Sequence, residues 1–181
     1  MRTADTFANA GCPEVEQGRD STVQRQSGIV SRTMTLQIRQ ATTADATRIA
    51  SLSAVLGYQV SASEMSARLE ALTGRSNDVV LVADAGDGVL AGWVHCVIHP
   101  LLTSAATAEI LALVVGTAHR RAGVGRQLVA AAERWAADHG VASMVVRSNA
   151  VRVESHAFYP SLGFERTKTQ HVYWKALRSG T

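Results

Sequence analysis

Residues 119–128 concentrate the groups best suited to chemistry: His119, Arg120, Arg121 and Arg126 surround Gly123 and Gly125. Guanidinium groups beside glycines make an anion site. The cations supply charge, and glycine removes the Cβ that would hold a ligand away from backbone N–H groups. A phosphate or pyrophosphate suits such a site. The loop works only if its neighbours aim it. Before it, Glu109, Ile110, Leu111, Ala112, Leu113, Val114 and Val115 form a strand-like run. After it, Val124, Leu128, Ala131 and Trp135 recur at helical spacing, the run continues to about Asp138, and Gly140 supplies a stop. The order of strand, basic glycine loop and helix start places the positive end of a helix dipole at the loop.

Three ligand classes use this arrangement. A P-loop needs Gly-x-x-x-x-Gly-Lys-Ser/Thr, which the chain lacks. A dinucleotide loop needs Gly-x-Gly-x-x-Gly, but Leu128 stands at the sixth position and no early βαβ unit surrounds it. The third class puts the basic residue first, as Arg-x-x-Gly-x-Gly, and Arg120, Gly123 and Gly125 fit it. The segment resembles the acyl-CoA loop of the GNAT superfamily of N-acyltransferases. A later segment, 148–164, agrees with it: Asn149 precedes a short helix ending in Phe158 and Tyr159, followed by Leu162, Gly163 and Phe164. The resemblance runs from about Met34 to the C-terminus and excludes the first 33 residues.

That resemblance implies an α/β fold, with a central mixed, mostly antiparallel sheet and helices on both faces. It implies an acyl-CoA-dependent N-acyltransferase, in its simplest form an N-acetyltransferase moving acetyl from acetyl-CoA to a primary amine of a small molecule. A protein or peptide N-acetyltransferase and a non-catalytic acyl-CoA-binding domain are the alternatives, and Tyr159 argues against the second. Cofactor binding falls to Leu113, Val114 and Val115 on a splayed strand, to Arg120, Arg121, Ala122, Gly123, Val124, Gly125 and Arg126 in the loop, and to Asn149. Asn149 either reaches the cofactor or only caps its helix, and Arg152 either meets a phosphate or sits in solvent. Tyr159 matches the family tyrosine that protonates the leaving sulfur, although Pro160 biases it away from helical geometry. Glu109 is the first candidate for the general base and His95 the second. Trp93 and Tyr58 either line an acceptor pocket or, for Trp93, pack in the core. His119 and His156 flank the motifs as surface or cofactor-side groups. The expected partners are acetyl-CoA and an amine acceptor, with a homodimer allowed.

Composition narrows the alternatives. The chain has 181 residues, enough for one domain with a sizeable core. No apolar run approaches the roughly 18 residues of a membrane span. The N-terminus lacks an apolar signal region, which favours the cytoplasm. Cys12 and Cys96 are the two cysteines, with no zinc spacing, so neither a disulfide nor a metal is expected. His95 and His99 lie four apart on an extended run, roughly 13 Å, too far to share one ion. Net charge is +3, and residues 1–33 balance four Arg against two Asp and two Glu. The excess therefore sits on the body and clusters at the loop. Aromatic residues reach only 5%, which disfavours base-stacking platforms and hence nucleic acid.

The remaining elements follow from periodicity and turn chemistry. Residues 1–33 read as a disordered extension, with Met34 a natural start, and 34–181 as a single domain. A strand at 36–40 precedes a helix capped at 42–45 and ended by Gly57. A second helix runs from Ser61 to Gly74. Strands at 78–83 and 89–98 flank a hairpin turn at Ala85, Gly86, Asp87 and Gly88. Strands at 107–115 and 141–147, a helix at 151–159, and two last strands at 164–168 and 171–177 complete the order.

Overall fold

The computed structural model describes residues 36–176, so the reading of residues 1–33 lies outside the described residues. Five strands form one sheet in chain order: β1 (Gln37–Gln40), β2 (Asp78–Asp84), β3 (Leu90–His99), β4 (Thr107–Val115) and β5 (Met144–Val146). Strands β1 to β4 pair antiparallel, and β5 runs parallel to β4. The sheet is mixed and mostly antiparallel, as expected.

Helices cover both faces. In β2, Val79, Val80, Val82 and Ala83 are all buried, the continuous apolar pattern of a strand covered twice. On one face, α1 (Ala46–Ser53) and α2 (Ala62–Leu72) press Ile49, Met65 and Leu69 onto Val80, Val82, Trp93 and Val114. On the other, α3 (Val124–Asp138) presses Val124, Leu128, Val129 and Ala132 onto Val94, Cys96 and Ile110. The hairpin after β2 forms where the sequence placed it. Gly86, Asp87 and Gly88 all take positive φ, and Ala85 N–H donates to the Val89 carbonyl at 2.9 Å.

The C-terminal expectation is corrected. No strand forms at 164–168 or among the described residues of 171–177, and Val172, Tyr173 and Trp174 are exposed. The polar run from Glu165 to Gln170 holds no glycine, proline or asparagine to make a tight turn. A two-stranded ribbon without such a turn is marginal. The strand expected at 141–147 likewise shrinks to Met144–Val146.

One buried carboxylate locks β1 to α1. Asp45, 1% exposed, accepts from Arg39 at 2.7 and 2.9 Å and from the Thr42 N–H at 2.9 Å. Arg39 also donates to Asp84 at the end of β2, at 2.9 and 3.0 Å. The hydrogen bonds from Arg39 outweigh desolvation and hold the Asp45 carboxyl at about 2, below its ordinary 3.8. A depressed carboxyl pKa stabilises the fold above the unfolded value and loses that contribution as pH falls through the folded one. Asp45→Asn should therefore cost about 2 kcal/mol near neutrality, or roughly 4–8 °C in Tm. Thermal unfolding of both proteins from pH 7 to pH 2 should show that gap closing below pH 4. A gap independent of pH would contradict the assignment.

Candidate active site

A β-bulge organises the site. The β3–β4 register shifts between His95 and Cys96, leaving Leu111 without an opposite residue. An extra residue reverses which edge of the strand each backbone group faces. Before the bulge, Ala108 N–H donates to the Ser143 carbonyl at 3.0 Å, so Ala108 and Ile110 face β5. Beyond it, Gly116 N–H donates to the Ala91 carbonyl at 2.9 Å. Alternation then turns Val114 and Ala112 toward β3, and Leu113 and Val115 toward the β5 side. Pairing with β5 ends at Ile110 and Val146. Leu113 and Val115 thus offer N–H and C=O groups to a gap that no strand fills among the described residues. An extended ligand carrying amides can add there as a strand would. Val114 departs from the expectation for this trio: its backbone faces β3 and its side chain is buried under α1 and α2.

The gap leads to the basic loop. After a turn at Thr117–His119 the chain passes Arg120, Arg121 and Ala122, all exposed, to Gly123 at φ +78°, which caps α3. Arg121 itself takes φ +62°, a strained geometry for a residue with a Cβ. Gln127 N–H donates to the Gly123 carbonyl at 3.1 Å. The N–H groups of Gly123, Val124, Gly125 and Arg126 therefore precede the first intrahelical bond and remain for an anion. Arg126 also reaches the Ser161 carbonyl at 3.4 Å. The two glycines have different tasks. Gly123 serves the left-handed turn and a Cβ there would meet nothing within 4 Å, whereas a Cβ on Gly125 would lie 3.1 Å from Phe158 Cζ. The missing Cβ at Gly125 admits the Phe158 ring.

That ring belongs to α4 (Val153–Phe158), which starts two residues later than expected. Asn149 does not cap it directly. Its Oδ1 accepts from Val151 N–H at 3.2 Å and its carbonyl from Arg152 N–H at 2.9 Å, so it shapes the turn before the helix. Arg152 is exposed at the N-cap. Tyr159 stays helical, at φ −63° and ψ −43°, despite Pro160. The proline is absorbed because it opens the next turn, Pro160–Leu162, where its missing N–H has no helical partner to lose. Edge-to-face contacts with Phe158 at 5.1 Å and Phe164 at 5.6 Å hold the Tyr159 ring. Its hydroxyl has no hydrogen bond among the described residues. Burial pushes the phenol above its ordinary value, against a smaller opposing effect from Arg152, so it keeps its proton.

Glu109 closes the far end of the gap. It is 5% exposed and lies two residues before the bulge. His99 Nε2 meets its Oε2 at 2.9 Å, and Arg147 donates to its Oε1. Glu109 in turn raises the Arg147 guanidinium. Neither partner was singled out as a partner of Glu109 from the sequence. His99 had only its spacing from His95, and Arg147 ended an apolar run.

A strand gap, a helix N-terminal cradle at one end and a buried carboxylate at the other make a site for an extended phosphate-bearing ligand. Residues 36–164 match the model of the acetyltransferase (GNAT) family. The chain belongs to the GNAT acetyltransferase family. It is thus an N-acetyltransferase that uses acetyl-CoA. No curated protein matches the sequence. Among solved structures, the chain is similar to the aminoglycoside N-acetyltransferase AAC(6')-Iy in complex with CoA, with 25% identity over 81% of this chain and 99% of that one, at TM-score 0.72. It also shares its fold with the aminoglycoside acetyltransferase meta-AAC0020 from an uncultured soil metagenomic sample, at 22% identity, 78% and 96% coverage and TM-score 0.68. Glucosamine-6-phosphate N-acetyltransferase from Arabidopsis thaliana shares it too, at 20% identity, 77% and 98% coverage and TM-score 0.67.

Other candidates in this acetyltransferase settle elsewhere. His95 bonds Asp78 on β2 at 3.3 Å, away from Glu109. Trp93 packs in the core under α1 and α2, its Nε1 without a partner among the described residues. Tyr58 and His156 are exposed. Cys96 is a free, fully buried thiol that burial pushes up to about 11. Among the described residues no cluster of His, Cys, Asp and Glu is placed to hold a metal, and no helix is long and apolar enough to cross a membrane. Two clefts, of about 340 Å³ beside Arg126 and Ser161 and about 490 Å³ beside Thr42 and Glu70, are lined by neither Leu113, Val115 nor Glu109.

Proposed function

We propose that this enzyme acetylates a primary amine of a small polar molecule, with Tyr159 as the acid and Glu109 as the carboxylate whose charge assists removal of the amine proton. The observation that carries the reading is the gap beside Leu113 and Val115, bounded by the α3 cradle and by Glu109. The backbones of Leu113 and Val115 would hold the amide-bearing arm of acetyl-CoA, and the N–H groups from Gly123 to Arg126 its pyrophosphate. Bound acetyl-CoA supplies an activated acyl group as a thioester. Tyr159 holds a proton at its hydroxyl for the departing sulfur. Glu109 holds negative charge at the closed end of the gap, favouring loss of the amine proton. Positioning both supplies much of the acceleration. The similar enzymes bear the names of amino sugars, aminoglycosides and glucosamine-6-phosphate, which supports a small polar acceptor over a peptide.

The test is thiol release from acetyl-CoA with a panel of amino sugars, polyamines and lysine or N-terminal peptides. Release with the small amines is expected. Release with peptides alone would replace the acceptor class, and none at all would end the reading. The same proposal places the enzyme in the cytoplasm, where Cys96 stays reduced, and allows a homodimer, which sedimentation velocity would read as twice the chain mass.

We further propose that the domain starts near Met34. A chain beginning there should melt within a degree or two of the full chain and bind CoA equally well, because among the described residues the packed elements begin with β1. Calorimetry on the shortened chain checks this. A large fall in Tm would make the extension part of the fold.

A further inference from the structure

We infer that His99, rather than Glu109 itself, takes the proton from the acceptor amine, with Glu109 holding the imidazole in place; this rests on the acetyl-transfer reading above. The geometry separates the two roles. The Glu109 side chain is 7% exposed and both of its oxygens are engaged, one by His99 and one by Arg147. Each oxygen already accepts from a donor, and little of the side chain is open to an amine. The His99 side chain is 43% exposed. With Nε2–H donating to Glu109, the other ring nitrogen, Nδ1, carries the lone pair. It accepts a proton, and Glu109 stabilises the imidazolium that results.

The sheet register puts this pair where the chemistry is needed. Glu109 stands opposite Val97 and His99 opposite Thr107, so the two are diagonal neighbours on the face covered farther along by α1 and α2. Glu109 pairs with Val145, and Arg147 lies just past the last paired residue of β5. The three side chains therefore sit where the gap closes. His95 fills no such place, since it is 21% exposed and turned toward Asp78, itself approached by Arg75 at 3.8 Å. The charged groups around His99 are thus Glu109 on β4 and Arg147 after β5, with His95 farther along β3 paired to Asp78 on β2.

The step balances. The amine nitrogen bonds the acyl carbon as its proton passes to His99 Nδ1. The carbon–sulfur bond breaks and sulfur takes the Tyr159 proton. His99 then releases its proton to water through its exposed edge, and Tyr159 regains one.

The test uses the full chain and whichever amine the wild type turns over. His99→Ala should lower kcat roughly 10²-fold with CoA affinity unchanged by calorimetry. Added imidazole should restore much of that rate in His99→Ala but not in His99→Gln, whose side chain fills the space. Glu109→Gln should also slow turnover, without rescue. Imidazole added to the wild type and to an enzyme-free mixture sets the baseline. Wild-type kcat in His99→Ala, or a loss that imidazole never restores, overturns the dyad while leaving acetyl transfer standing. A wild type that acetylates none of the amines overturns the transfer reading, and the dyad with it.

Discussion

Tyr159→Phe should leave acetyl-CoA bound and lower turnover by roughly 10²–10⁴-fold, the usual contribution of a general acid. The substitution removes one hydroxyl and keeps the ring that packs on Phe158 and Phe164. That hydroxyl bonds nothing among the described residues, so its loss leaves no polar group unpaired and the fold should hold. Burial keeps the phenol protonated across the working range, the state a donor needs. The measurement is steady-state kinetics across pH with a working amine, beside CoA binding by calorimetry. Poorer leaving thiols should suffer most, because they depend most on a proton. Wild-type turnover at every pH would remove the acid role, provided chemistry limits the rate, and would not disturb the cofactor site.

Gly125→Val should weaken CoA binding about ten- to a hundred-fold, as expected for roughly 1–3 kcal/mol of overpacking. A Cβ at 125 would lie 3.1 and 3.3 Å from Phe158 ring atoms and 3.6 Å from Val115 Cγ2, and valine adds two methyl groups beyond it. The clash pushes α4 away from the start of α3, moving the N–H cradle and, through the next residue, Tyr159. Both CoA affinity and kcat should fall. Phe158→Leu in the same chain should restore part of each, since it shortens the side chain that collides. Gly123→Val should fail differently: its backbone at φ +78° resists a β-branched residue, and no change at Phe158 will relieve it. Calorimetry on the two single variants and the Gly125/Phe158 pair separates these mechanisms by their coupling. Unchanged CoA affinity in both glycine variants would remove the loop from the cofactor site.

Much of this was legible in the chain because it is local. The run from β4 through the glycine loop into α3 carries its own periods and its own anion chemistry. The hairpin at 85–88 is written in residues that tolerate positive φ, and the capped starts of the first two helices in Thr42, Asp45, Ser61 and Glu64. The same locality explains the failure at the C-terminus. Alternation at Val172 and Trp174 suggests a strand, but a strand needs an adjacent partner and a turn to deliver it, and residues 165–170 supply no turn.

By itself the sequence determined the family, the setting of the glycine loop between a strand and a helix, and the order of the central elements, because each depends on residues close together along the chain. Only the tertiary structure decided what surrounds Glu109. His99 is ten residues away and Arg147 thirty-eight, on different strands, and they meet because of register. The bulge at Leu111 decided that Leu113 and Val115, and not Val114, offer their backbones to the gap. One extra residue in a strand exchanges its two edges, and nothing in the run Ile110, Leu111, Ala112, Leu113 marks where that extra residue falls. Packing likewise decided that Gly125 makes room for Phe158, thirty-three residues on. A glycine shows which atom is missing, and the fold alone shows what occupies the space.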